Sequence, residues 1–542
     1  MRKHSRIYLT LALLILLLQF ALRVHNPDQL PFFIDEYRHI QRSQLVYTLD
    51  HNPIEFTHGK LLLYYYLGLF HPEGHSSIIV GRLSIALISL VTGATAAAIT
   101  QRLFGHVAGL FALAFYALVP HAVFYERLAL ADPLASALAT LSVWQLLHFI
   151  EFPTRRRAIV TGALISGAVL AKLTAALLMG IPVIAVMLLR SEKITERSRK
   201  VIAQWSNALW QQYGDGLKVI GLICLVPWLG LLVLAVICIA SGQKPILFPT
   251  RMIGLQFNTM DAIRYRVEVL NSIIDTLLSV PLTLALLVVI PVSLWRVPRR
   301  TLFVLLWLGT LWGPSLIVTW QPETRYLLIG YPALAVLVGA SCCIVVYIAQ
   351  RLAKWTKGNA TDSTARLAGR SAFAAGFGVW AALFAIPFGL NASRAPEILA
   401  LPRTEIEIFF MGSNGWAVSS ALEFLDKHAA RIDTQVPVIG RFHVMVIDQD
   451  YCGLVELYVP ESFEWKCDVI PATADDKFKD AISGDFWPSI VASAGQRPYF
   501  YLVTDVPPPA APPETPLVAE LIYENQRPHN GSIVRVWRVT FV

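Results

Sequence analysis

The chain has 542 residues, of which 55% are hydrophobic and only 15% charged. Soluble domains carry about 25% charged residues, so this composition excludes an ordinary soluble protein and predicts one that crosses a membrane many times. The formal net charge of +8 is too modest to call for a nucleic-acid partner, and no Walker or GxGxxG phosphate loop occurs.

A bilayer core takes about 20 apolar residues per helix. In chain order the candidate spans are 7–24, 81–101, 107–124, 133–150, 158–172, 174–190, 217–240, 272–295, 301–319, 329–349 and 371–390, eleven in all. The first follows "MRKHSR" and resembles a signal peptide, but no small-residue cleavage site follows it, so it reads as an uncleaved span. Basic residues gather in alternate loops: Arg2, Lys3 and Arg6; Arg102; Arg155, Arg156 and Arg157; Arg190 to Lys200; Arg296, Arg299 and Arg300; Arg351 to Arg370. The positive-inside rule makes these cytoplasmic. The N-terminus is then inside, a first outer loop runs from about 25 to 80, and the C-terminal part lies outside.

That C-terminal part is a different kind of sequence. "SSALEFLDKHAARI" has helical periodicity, whereas "VPVIGRFHVMVI", "RPYFYLVTDV" and "SIVRVWRVTFV" are β-rich and "DVPPPAAPPETP" is a connector. The expected organisation is a helical membrane module over 1–390 and a small extracytoplasmic α/β domain over 391–542. Of six cysteines, Cys224, Cys238, Cys342 and Cys343 fall in apolar runs as packing residues. Cys452 and Cys467 are placed to form a disulfide if their domain is extracytoplasmic.

The first outer loop is unusually charged. In "FFIDEYRHIQRSQ", Asp35, Arg38, His39 and Arg42 have the spacing of one helix face, and Glu36 sits one step round. Lys60 precedes an aromatic run, "LLLYYYLGLF", too short to span and suited to the membrane surface. The few basic residues of the outer loops (Arg38, Arg42, Lys60, Arg127, Arg325) gather beside acids, which suggests a local demand for positive charge such as an anionic phosphate. The plainer alternative is an interfacial helix whose charges sit among lipid headgroups. Asp132 before Pro133 has the pattern of a helix N-cap followed by Pro at the first helical position, compatible with a catalytic role as well. Glu126 and Arg127 could pair with each other. Lys172 is expected at the outer interface. The stretch from Phe248 to Leu270, with Arg251, Arg264 and Arg266, reads as an amphipathic surface helix rather than a lid. His39 lies four residues from Asp35, but one histidine and one carboxylate do not make a metal site, and a hydrogen-bonding role fits better.

At these residues the sequence resembles the GT-C membrane glycosyltransferases, and most of all the protein O-mannosyltransferase and lipid A aminoarabinose transferase superfamily. "IDEYRHI" is similar to the acidic first-loop motif, "HGKLLLYYYL" to a Gly-Lys-Pro-Pro-Leu-Tyr-Tyr segment, and Gly81 to Leu138 to a span-and-loop unit ending in a second acidic motif. "PETRYLLIGYPALAVL" is similar to a late Arg-Tyr-Leu segment. Leu61 and Leu62 stand where the family has prolines, and His39 where it has tyrosine. The resemblance implies an inverting enzyme that moves a sugar from a polyprenyl-phosphate carrier to an acceptor on the outer face of a bacterial plasma membrane. Asp35 would be the base, with Asp132 and Glu36 as further acids of the site. Arg38, Lys60 and Arg325 would grip the lipid phosphate, supported by His39, Tyr64, Glu126 and Tyr326. The acceptor (protein, lipid or cell-envelope glycan) and the use of a divalent metal stay open. A lipid-linked sugar flippase is the alternative; it would show ionisable residues in mid-span or duplicated halves, whereas here the acids lie in loops. A third reading, a binding protein anchored in the membrane, needs far fewer spans.

Overall fold

The computed structural model describes residues 2–30, 33–48, 52–72, 74–190, 199–245, 260–317, 323–355, 362–411, 416–429, 437–444, 459, 463–471, 486–494, 498–505, 508, 517–529 and 533–541. Within the described residues all eleven apolar segments build helix. In chain order the helical elements are α1 (Arg2–Val24), α2 (Ile34–Leu45), α3 (Leu61–Gly68), α4 (Ser77–Phe104), α5 (His106–Leu118), α6 (Pro120–Tyr125), α7 (Ala131–Glu151), α8 (Arg155–Ala171), α9 (Ile181–Leu189), α10 (Arg199–Ala240), α11 (Met260–Ile273), α12 (Val280–Arg296), α13 (Pro298–Ile317), α14 (Tyr331–Trp355), α15 (Asp362–Trp380), α16 (Ile386–Arg394) and the single turn α17 (Arg403–Ile406). Among the described residues, six helices are long and apolar enough to cross a bilayer by themselves. A seventh forms if Arg266–Leu278 and Val280–Arg296, bent by 102°, count as one span. Most of the other segments are short or broken, while α13 is a continuous helix of 20 residues. α5 has 13 residues and stops before Pro120, and α8 has 17. α9 continues from a 3₁₀ turn, Leu173–Gly180.

The helices sort by what their side chains meet. α4, α5, α7 and α14 bury most of their surface in two apolar cores that share α14, with small residues at the crossings: Gly339 of α14 leaves no room for a side chain against the Ala108 carbonyl of α5. α1, α10 and α12 instead expose Leu9, Leu13, Leu17, Leu222, Leu229, Leu232, Leu287 and Val288. Such an apolar surface suits lipid and not water. The chain is an integral membrane protein.

The C-terminal part is a five-stranded sheet built from β1 (Pro437–Val444), β2 (Glu464–Pro471), β3 (Tyr499–Thr504), β4 (Leu517–Gln526) and β5 (Ile533–Phe541), in the order β2-β1-β3-β5-β4. β1 is parallel to β2 and β3, and the β3-β5-β4 pairs are antiparallel. Alternate side chains of β3 face opposite sides. Tyr501 and Val503 pack with α18 (Trp416–Ala429), whereas Phe500 and Leu502 pack with α19 (Phe486–Ala494). The α18 side also contacts Ile40, Ile78 and Ala129, so the sheet rests on the segment that carries α2. β2 and β4 were not legible as strands: "EWKCDVIP" and "LVAELIYENQ" interleave charges with few β-branched residues. Cys467 on β2 is disulfide-bonded; Cys452, Arg251 and most of the proline-rich connector lie outside the described residues. Residues 391–411 pack with the helical module through Ala392, Leu399, Leu401, Phe409 and Phe410. α11 is a helix with Ile263 and Val267 exposed and an exposed Arg264–Glu268 pair, as a surface helix would be.

Candidate active site

α2 begins after Phe33, whose N–H is taken by the Glu36 side chain at 3.1 Å, an N-terminal box that orients the first turn. That start puts Asp35 and His39 on one face. Thr57 to Lys60 forms a tight turn, Lys60 N–H donating to the Thr57 carbonyl at 2.8 Å. His58 and Gly59 occupy its centre at φ 44° and 76°. The left-handed geometry is natural for glycine and costly for histidine. The Gly59 carbonyl accepts from Leu173 N–H at 3.2 Å, which ties the turn to the α8–α9 connection. The third element is a 3₁₀ turn, Thr324–Gly330, ahead of α14.

These elements meet at Asp35. Arg325 Nη1 donates to Asp35 Oδ2 at 2.7 Å, and Arg38 lies 3.6 Å from Oδ1. Arg325 also pairs with Glu323 and lies over the Phe33 and Tyr326 rings at 5.3 and 5.4 Å. His39 Nδ1 donates to the Ala129 carbonyl at 2.8 Å, which leaves Nε2 to accept from Lys60 Nζ at 3.0 Å. Burial by itself would push the Asp35 carboxyl up, but Arg325, Lys60 and the other cations around it hold it well below the usual carboxylate range. Burial, then Lys60, hold His39 well below the ordinary imidazole value. Burial also brings Lys60 down to about 8 although Asp35 opposes it. His58 falls to about 4 through burial and the charges of Arg42, Lys60 and Arg38. The site is a carboxylate inside a cluster of cations.

The candidates divide between this cluster and other tasks. Asp35, Arg38, His39, Lys60 and Arg325 come together, and Tyr326 adjoins them. Glu36 does not join: fully buried, it holds Arg82 through two bonds at 2.9 and 2.7 Å and accepts from Ala129 N–H at 2.8 Å. Its task is to tie α2 to α4. Asp132 is not a helix cap, because α7 starts one residue earlier, after Leu130. It pairs instead with Lys172, whose ammonium lies 4.1 Å over the Tyr326 ring. Lys172, expected at the interface, is therefore a buried neighbour of the site. Glu126 and Arg127 do not pair with each other. Glu126 takes Arg23 at 2.9 Å and the Tyr116 hydroxyl at 2.5 Å, and Arg127 donates to the Leu22 and Asn26 carbonyls. Tyr64 is buried, with its hydroxyl 3.3 Å from Arg42 Nη1. Glu323, Lys172 and His58 were missed as site residues; His58 had a signal, its place next to Gly59-Lys60 in the motif. No group of three or more His, Cys, Asp or Glu able to hold a metal occurs among the described residues.

Residues 59–209 match the family described as dolichyl-phosphate-mannose-protein mannosyltransferase. No curated protein matches the sequence. Among solved structures, the chain is similar to ArnT from Cupriavidus metallidurans bound to undecaprenyl phosphate, with 14% identity over 98% of both chains and a TM-score of 0.54. It is similar to the apo state of the same ArnT, with 15% identity over 99% of this chain and 98% of that one and a TM-score of 0.51. The oligosaccharyltransferase AglB from Archaeoglobus fulgidus, in complex with an inhibitory peptide and a dolichol-phosphate, gives 13% identity over 93% of this chain and 70% of that one, with a TM-score of 0.49. The family segment holds Lys60, Asp132 and Lys172, and the ArnT likeness extends the fold over nearly the whole chain. Together they show a GT-C-type membrane fold over nearly the whole chain, with a segment similar to the mannosyltransferase family within it.

Proposed function

We propose that the protein transfers a sugar, with inversion, from a polyprenyl-phosphate carrier to an acceptor hydroxyl or phosphate on the outer face of a bacterial plasma membrane. One observation carries this reading: Asp35, 16% exposed, stands 2.7 Å from Arg325 with Lys60 and Arg38 close by. In the reaction the acceptor oxygen attacks the anomeric carbon from the face opposite the phosphate. The bond between that carbon and the phosphate oxygen breaks, and the bonding pair leaves with the polyprenyl phosphate. Where the acceptor is a hydroxyl, its proton passes to Asp35.

Asp35 is ionised throughout the physiological range, so it is ready to take a proton. As a donor phosphate engages Arg325 and Lys60, it shares the cations that hold Asp35 down, and the carboxylate becomes a stronger base. Arg325, Lys60 and Arg38 stabilise the charge that grows on the departing phosphate. Lys172, held by Asp132 beside Tyr326, adds a further buried cation next to the site. A divalent metal is not needed for this arrangement to balance charge. The undecaprenyl phosphate bound by ArnT supports a lipid-phosphate donor. The disulfide at Cys467 supports an oxidising compartment for the sheet domain, and with it the outward orientation read from the loop charges.

The test is transfer of labelled sugar from a panel of polyprenyl-phosphate donors in membranes holding wild type or Asp35→Asn. Donor consumption by wild type and none by an equally abundant variant supports the reading. Equal activity removes Asp35 as the base. Protein-dependent movement of lipid across the bilayer without sugar transfer would favour the flippase.

A further inference from the structure

Asp35 and Arg325 stand 290 residues apart in the chain, and neither α2 nor the Thr324–Gly330 turn is covalently close to the other. One short segment touches both. The Thr324–Gly330 turn opens on Glu323, whose side chain makes no capping bond. The missing acceptor comes from 81 residues away: Glu405, 1% exposed, takes Thr324 N–H on Oε1 at 3.1 Å. The same oxygen bonds the Thr324 hydroxyl at 2.5 Å and the Tyr125 hydroxyl at 2.9 Å, and those two hydroxyls lie 2.6 Å apart. A carboxylate at the N-terminal end of a helical turn also meets the positive end of its dipole. Four residues on, the Phe409 ring packs 4.8 Å from the ring of Phe33, the residue that opens α2 two positions before Asp35. Phe124 backs Phe409 at 5.2 Å. Phe33 in turn lies under the Arg325 guanidinium.

We propose that residues 403–411 are a clasp that holds α2 and the Thr324–Gly330 turn together and so sets the Asp35–Arg325 distance, with Glu405 and Phe409 as positioning residues for sugar transfer. This rests on the roles given above to Asp35 and Arg325. Neither residue reaches the reacting atoms; each acts through the backbone that carries one member of the ion pair. The contacts differ in kind. Glu405 fixes the turn by hydrogen bonds to a buried backbone N–H, which would otherwise go unsatisfied. Phe409 fixes the start of α2 by ring packing.

The test uses the full-length protein in lipid nanodiscs, with Glu405→Ala, Phe409→Ala and the milder Glu405→Gln and Phe409→Leu. Amide hydrogen exchange is followed at 34–37 and 324–330, with α7 as internal reference, and kcat/KM for a labelled polyprenyl-phosphate donor is followed against pH. Each alanine variant is expected to lose at least tenfold protection in both windows while α7 keeps its own. At the same time kcat should fall more than donor KM rises. The acid limb of the profile should move to higher pH, because Asp35 loses Arg325 while Lys60, Arg38 and His39 still face it. The Gln and Leu variants should recover most of both effects, and they carry the test if an alanine variant fails to fold. Protection retained in both windows overturns the clasp, as does loss spread evenly into α7, which marks a merely structural role. If wild type transfers no sugar from any donor, the exchange measurement still decides the clasp, and the failure falls on the proposed function instead.

Discussion

Asp35 and Glu36 are adjacent on the same helix, and their surroundings are opposite. Glu36 is 0% exposed, and both its oxygens are taken by Arg82, Ala129 N–H and Phe33 N–H. Asp35 keeps 16% exposure and is met by long, extended cations from three elements: Arg38 on α2, Lys60 before α3 and Arg325 before α14. The first arrangement is closed. Every acceptor has a protein donor, and the one cation is spent on one anion, so it locks loop to helix. The second holds more cations than its two acids, Asp35 and Glu323, neutralise, so positive charge is left over. One step along a helix turns the side chain by about 100°, and that rotation separates the closed pair from the open cluster.

The contrast can be challenged by substitution. Asp35→Asn should show the largest effect: a fall in kcat of about 10²–10⁴-fold, the usual range for a lost general base. Abundance and melting temperature should stay near wild type, since Glu323 still pairs with Arg325. A comparable loss of folded protein would put Asp35 with the scaffold. Glu36→Ala should do the reverse. It strands Arg82 in a dry site at a cost of about 3–5 kcal/mol, read as low yield and a lowered melting temperature in detergent. The folded fraction should turn over within a fewfold of wild type.

Replacing both members of the closed pair, Glu36→Leu with Arg82→Met, probes the difference more finely. Apolar side chains of similar volume often replace a buried ion pair at little cost. The double variant should therefore be more stable than Glu36→Ala, measured by thermal unfolding, although Ala129 N–H and Phe33 N–H would lose their acceptor. No such rescue is expected at the open site, where a pair of apolar residues at 35 and 325 would abolish transfer.

The smallest effect is a pH dependence. Lys60 is brought down from its usual value to about 8, by burial first, with Arg325 and Lys172 adding to it against Asp35. Its charged form, which would grip phosphate, is present below about 8 and lost above. Wild-type kcat/KM for the donor should hold level from pH 6.5 to 7.5 (roughly the range below that pKa) and fall as pH rises past about 8. Lys60→Arg, which stays charged, should remove the fall within that window. An unchanged alkaline limb in Lys60→Arg would show that the lysine does not set it.

Much of this was open to reading from the chain. The i, i+3, i+4 and i+7 spacing alone places Asp35, Arg38, His39 and Arg42 on one face and sets Glu36 apart. The turn before Lys60 was not read from the chain, although Gly59 takes its left-handed conformation. The partners were harder. Pairing Glu126 with Arg127 was an inference from adjacency, and the structure gives each a separate set of partners. Pro133 suggested a cap at Asp132, but α7 starts earlier and the acid turns to Lys172, 40 residues away. Glu405 lay in a segment with no periodic signal, and its role appears only with Thr324 beside it.

Composition and spacing along the chain were enough to establish a membrane protein, the segments that form helix, the face of α2 that carries the charges, and a small α/β domain at the end. Those properties are local or compositional: apolar run length, helical period, turn residues and charge in the loops act over a few residues. Which ions meet was settled by the packed fold alone. Arg325 reaches Asp35, Arg82 reaches Glu36 and Lys172 reaches Asp132 across 290, 46 and 40 residues. A charged side chain in a low-dielectric interior must find a partner, but nothing in its immediate neighbours along the chain says which one. That choice belongs to the packing of α2, α4, α7 and the turn before α14, which brings distant residues within hydrogen-bonding distance and leaves Asp35 among cations.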